Sequence, residues 1–143
     1  MITSSSTTGK KNTSTTKADL RNRTSKFAHN ARIFVRKTPR TLASLGDCRN
    51  LVRSSGGLGA SYIDADDAGS RHEFLRCIGD CRRQSRQSSH WLALLEGDLE
   101  ERSEEMRSNL VQESSELERI FGAIIGTTIS NAKNKAADNE ENS

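Results

Sequence analysis

Phe74, Ile78, Cys81, Ser85, Ser88, Leu92 and Leu95 recur along the chain at alternating steps of four and three. That spacing is the a/d stripe of a helix that buries one face. A strand shows its faces with a period of two and cannot collect this set on one side. The ends of the segment carry matching punctuation. Ser70 stands where an N-cap is needed, Glu73 takes the capping-box position, and Gly97 supplies a C-terminal stop. Trp91 lies beside the stripe. A helix with a single apolar face requires partners, and the rest of the chain is read for them.

Three further helices are predicted. Phe27, Ala31, Phe34 and Val35 mark a short first helix over Ser25 to Lys37, closed by Pro39, because the residue before proline is pushed out of the α region. A second runs from Thr41 to about Asp67. Leu45, Cys48, Val52, Ser55, Gly59 and Ile63 share one face, widened by Leu51, Leu58 and Tyr62. Its middle is rich in Ser and Gly. Each helical Gly costs about 1 kcal/mol relative to Ala, so either a neighbour approaches closely there or a loop at Gly56-Gly57 splits the element. The fourth helix spans Asp98 to Ser130 on a stripe of Leu99, Met106, Leu110, Leu117, Ile120, Phe121 and Ile124. Glu113 interrupts that stripe, which puts it at an end, at a subunit contact or facing an arginine. Four such helices with short links predict an all-α, antiparallel up-down four-helix bundle over residues 25–130. Its core is expected to rest on Leu, Ile, Val and Ala, since hydrophobic residues make up 32% of the 143 and aromatics 4%.

Charge is distributed unevenly. Residues 1–40 carry +9, residues 41–95 carry +1 and residues 96–143 carry −7. Residues 1–24 form a basic, Ser/Thr-rich arm with too little apolar content to offset ordering entropy, and residues 131–143 form a polar, acidic tail of the same kind; both are expected to be disordered. The arm either contacts nucleic acid or another anionic surface, or is a solvated tail. No secretory h-region or membrane span is visible, so a cytoplasmic location is expected. The three cysteines, Cys48, Cys77 and Cys81, have no framework spacing and read as reduced thiols.

Between residues 53 and 92 an ordered set stands out: Arg53-Ser54-Ser55-Gly56, Gly59-Ala60, Tyr62-Ile63, Ala65, Ser70, Phe74, Cys81-Arg82-Arg83 and Trp91-Leu92. This set resembles the bacterial four-helix-bundle proteins found as reading frames inside intervening sequences of 23S ribosomal RNA genes. Weaker correspondence reaches back to Phe27, Phe34-Val35 and Pro39-Arg40, so roughly half of the chain is covered. The resemblance implies an antiparallel bundle that assembles into homopentamers. It also implies kinship with the basic accessory variability proteins of diversity-generating retroelements, which are pentamers that bind nucleic acid. It implies no enzyme activity. Ser55, Gly56, Gly59, Ala60, Tyr62, Ile63, Phe74 and Trp91 are expected at helix contacts. The chain departs from the family pattern at Ser61, where Asn is common, and at Asp64, where Glu is. Gln84 and Gln87 stand near positions that are usually acidic, which makes the third helix more basic.

The residues expected to carry function are Arg71, Arg76, Arg82, Arg83 and Arg86. At about 100° per residue they fan over the face opposite the apolar stripe. Guanidinium groups bind phosphate in planar, bidentate fashion without reading sequence. The competing reading pairs them with Glu100, Glu101, Glu104, Glu105 and Glu118 of the fourth helix. Aromatic residues do not interleave with these arginines, which weighs against single-strand base stacking. Gly56-Gly57-Leu58-Gly59 lacks the Lys-Ser/Thr ending of a P-loop. Cys77 and Cys81 with His72 and His90 do not complete a ligand set, so no metal and no cofactor is expected. No nucleophile–base pairing is apparent, and an enzyme is not expected. The expected function is a non-enzymatic, oligomeric scaffold or adaptor, touching RNA or DNA backbone through the arginine face. The alternative is a purely protein-binding module.

Overall fold

A computed structural model describes residues 17–142. Four helices follow one another: α1 (Lys17–Lys37), α2 (Leu42–Asp66), α3 (Arg71–Leu94) and α4 (Glu101–Glu141). Each packs antiparallel to the next, and α4 closes back on α1, giving an all-α four-helix bundle. No strand occurs among the described residues.

The links are short and locally specified. Thr38 ends α1 by donating its hydroxyl to the Phe34 carbonyl at 3.0 Å. Thr41 then caps α2 reciprocally with Ser44: the Ser44 N–H donates to Thr41 Oγ1 at 3.1 Å, and the Thr41 N–H donates to Ser44 Oγ at 2.8 Å. Ser70 caps α3 by accepting from the Glu73 N–H at 3.1 Å. The α3–α4 corner turns through two left-handed residues, Gly97 at φ 108° and Asp98 at φ 44°. Gly adopts that conformation without steric cost, and Asp tolerates it better than most residues.

The core is formed by Phe27, Phe34, Leu51, Leu58, Ile78, Leu92, Leu117 and Phe121, all fully buried. Each contributes on the order of 1.5–3 kcal/mol of burial free energy. Contrary to the expectation from composition, the core is not purely aliphatic, because three of the few aromatics are placed at its centre. Small polar residues fill the spaces between the helices. Ser54 and Ser88 share a hydrogen bond of 2.8 Å between α2 and α3, and Ser89 and Ser114 share one of 2.6 Å between α3 and α4. The buried hydroxyl of Ser85 donates to the Cys81 carbonyl one turn back.

Several boundaries and faces differ from the sequence reading. Helix α1 begins eight residues before Ser25. Leu20 and Thr24 extend its buried face, and Arg21 meets Asp66 at 2.9 Å, so residues 17–24 are helical rather than disordered. The remainder of the basic arm lies outside the described residues. Helix α4 continues to Glu141, so residues 131–141 are also helical. Nothing interrupts the helix there, and Ala132, Ala136 and Ala137 favour it.

Helix α2 is continuous through Gly56-Gly57, which removes the loop alternative. Its buried face keeps Cys48 and Ser55 of the predicted stripe and the widening set Leu51, Leu58 and Tyr62, and adds Ser54 and Ala65. Ile63, expected at a helix contact, is 52% exposed, and Leu45 and Ala60 are exposed as well. The face is shifted because Ser54, not the larger Ile63, joins the buried Cys48 and Ser55 against the neighbouring helices. Gly57 shows why. A Cβ there would stand 2.5 Å from Gln84 Nε2, whose side chain lies across the helix and accepts a 3.0 Å hydrogen bond from Ser61. Gly56 lies under Arg32 and Gly59 faces Thr24, so the α1 side of α2 is also closely approached.

Antiparallel pairing of α3 with α4 sets their register through Ser89–Ser114 and Arg86–Glu118. Carried along both helices, that register brings Arg71 level with about Ala132. From residue 133 onward α4 has no α3 beside it, and residues 133–142 are exposed.

Candidate nucleic-acid interface

Capping at Ser70 and burial of Ile78, Cys81, Ser85 and Leu92 fix the rotation of α3. The opposite side faces outward and carries all five predicted arginines, each exposed. Arg71 stands at the start of the helix, and the other four divide into two groups. Arg76 and Arg83 share one carboxylate on their own helix, Asp80, at 3.8 and 2.9 Å. Arg82 and Arg86 lean toward α4. Arg82 rests against Gly122, and Arg86 lies 3.8 Å from Glu118. Of the five glutamates weighed as partners, Glu118 is the one that meets an α3 arginine among the described residues. Glu104 is held instead by Arg107 of its own helix at 2.9 Å, and this bidentate contact depresses its carboxyl below the usual range. Exposed pairs of this kind contribute only about 0–1 kcal/mol, so the arginines stay available to other anions.

Two of them also border a groove between α2 and α3. Arg83 and Arg86 come from α3, and Arg53 comes from α2. The amides of Asn50 and Gln87 and the half-buried ring of Trp91 complete the walls of a space of about 590 Å³. Gln84 and Ser54 also line it, and no carboxylate does. Arg53 is steadied by donating to Asn50 Oδ1 at 3.3 Å. His90 meets Trp91 edge-on, with ring centroids 4.7 Å apart. Sequence reasoning did not place Arg53 in the site. The available signal was its position just before Ser54, which puts it on the flank of the small-residue seam with α3.

The other predicted contacts are distributed through the bundle. Tyr62 is buried, with its ring centroid 6.1 Å from that of Phe121, and Phe74 is half-buried on α3. Burial pushes the Tyr62 hydroxyl up to about 12. Burial likewise raises the thiols, Cys81 to about 12, so they are poor nucleophiles at neutral pH. Among the described residues no group of three or more His, Cys, Asp or Glu converges as metal ligands. Glu113 faces an arginine: Arg23 of α1 grips it through Nε and NH2 at 3.0 and 2.9 Å and reaches Glu116 at 2.6 Å. Those carboxylates hold the Arg23 guanidinium firmly charged. Arg107, also missed in the sequence, is buried and donates to the Leu92 carbonyl at 3.1 Å, satisfying the C-terminal end of α3.

No protein-family model and no curated protein matches this sequence. Among solved structures, the fold is similar to that of a protein of unknown function from the S23 ribosomal protein family of Bacteroides thetaiotaomicron. The TM-score is 0.65 at 17% identity, covering 77% of this chain and 97% of that one. At that identity the likeness shows the shared four-helix fold. Among the described residues, no helix is long and apolar enough to cross a membrane.

Proposed function

We propose that this protein is a non-enzymatic, oligomeric scaffold of the bacterial cytoplasm that docks on the phosphate backbone of RNA or DNA through the outward face of α3. The observation that carries this reading is the state of Arg71, Arg76, Arg82, Arg83 and Arg86: all are exposed, and one of them reaches a carboxylate of α4. Arg76 and Arg83 share Asp80 as well, so the five guanidiniums are matched by two carboxylates in weak, exposed pairs. Such a surface favours phosphate, and such contacts position a protein on a backbone without selecting sequence. The resemblance to nucleic-acid-binding pentameric relatives supports the same reading and suggests a homopentamer. Light scattering should then report five times the chain mass of 15.8 kDa.

The test is an electrophoretic mobility shift with RNA and DNA duplexes. At about 50 mM salt a shift is expected, weakening steeply as salt rises, because each phosphate contact releases counterions. Replacing Arg76, Arg82, Arg83 and Arg86 by Gln should abolish the shift while leaving the helical circular dichroism intact. Unchanged mobility of both duplexes at low salt refutes the proposal.

One feature favours a purely protein-binding module instead. Leu42 is 93% exposed, and Leu45 stands in an apolar recess bordered by Arg36, Arg40 and Arg49. A pull-down before and after nuclease treatment separates the two, since a protein partner retained after nuclease supports the second reading.

A further inference from the structure

The groove between α2 and α3 contains more than backbone binding requires. A duplex keeps its bases stacked inside, so it can use outward arginines but not an aromatic ring on a groove wall. An unstacked base can use one. We infer that this groove binds single-stranded nucleic acid, with a base laid against Trp91 and the adjoining phosphates held by Arg53, Arg83 and Arg86. This deepens the reading above and rests on it for the phosphate contacts.

Four observations converge. The groove holds about 590 Å³, within the range of small-ligand sites. Three guanidiniums border it without a lining carboxylate. Arg83 and Arg86 also meet Asp80 and Glu118 outside the groove, but these exposed pairs are weak and leave the lining itself favourable to an anion. Trp91 is half-buried, and its edge-on contact with His90 limits the orientations of the ring, which reduces the ordering cost of stacking. Asn50 and Gln87 present both donors and acceptors, suited to the edges of a base rather than to phosphate alone. The scarcity of aromatics along the sequence had weighed against stacking. The fold alters that balance by bringing the single tryptophan beside arginines from two helices.

Because the chain has one tryptophan, its emission reports on this groove directly. The full-length protein is titrated with an oligothymidylate of about ten nucleotides, a length within known single-strand footprints, and with a duplex of equal length. Saturable quenching by the single strand is expected. Trp91→Leu should lower single-strand affinity about ten-fold more than duplex affinity, as loss of one stacked base predicts. Should Trp91→Leu fail to fold, Gln87→Glu places a carboxylate in the groove at an exposed position. It should weaken the single strand more than the duplex. Unchanged emission in the presence of a bound single strand overturns the inference, as does an equal loss for both ligands in the variants. Duplex binding that persists in either case leaves the backbone-docking reading standing. Absence of binding by either ligand removes both.

Discussion

Between α2 and α3, Ser54 meets Ser88 at 2.8 Å, Gln84 lies across Gly57, and Cys81 sits fully buried against Leu58. Between α1 and α4, Arg23 clasps Glu113 and Glu116, while Phe27, Met106 and Leu110 border an open groove of about 500 Å³. The first seam is built from short side chains, so the helix surfaces meet and each buried hydroxyl must find a partner within the protein. The second is built from long ones that bridge by their tips and leave space behind. The contrast explains how a chain with 32% hydrophobic residues packs at all. Close approach over serine and glycine gathers many weak dispersion contacts that do not depend on large apolar side chains.

Overfilling the tight seam should break the comparison most clearly. Ser88→Leu forces a branched side chain against α2 and leaves the Ser54 hydroxyl only its longer, 3.4 Å bond to the Leu51 carbonyl. A loss of about 3 kcal/mol is expected, read as a lower urea midpoint at unchanged slope. A loss below about 0.5 kcal/mol would mean that the seam has room to spare. The clasp of the open seam is a smaller effect. Arg23→Gln should cost about 1 kcal/mol, and the cost should shrink in high salt, because the pair is only partly buried. Equal stability of the variant and the parent at low salt would leave the seam to its apolar residues alone. Met106→Phe, which adds volume to the open groove, should change stability by no more than about 0.5 kcal/mol. A large loss there would show the two seams to be equally close-packed.

Legibility in the sequence follows the same division. The α3 stripe was readable because period, cap and stop agree, and Ile78, Cys81, Ser85, Ser88 and Leu92 are all buried. The α2 face was legible in part. Cys48, Leu51, Ser55, Leu58 and Tyr62 are buried as expected, whereas ranking by apolar character also selects Leu45 and Ile63, which are exposed, and passes over Ser54, whose value lies in size. The start of α1 was missed because Leu20 is a lone apolar residue in a basic Ser/Thr-rich stretch, and its burial depends on packing against the rest of the bundle. The arginine face of α3 follows from a helical wheel. The groove does not, since Arg53 joins Arg83 only once the register of α2 against α3 is known.

Helix α4, at 41 residues and about 61 Å, outruns α2 and α3, at 25 and 24 residues, and past Ala132 it extends beyond the start of α3. The two ends of the molecule are therefore unlike: one is trimmed flush by turns, the other raises a mast. In the homopentamer proposed above, rotation about an axis along the bundle would send every mast to the same rim. A ring made in this way has a top and a bottom, and a visitor arriving at one could not mistake it for the other.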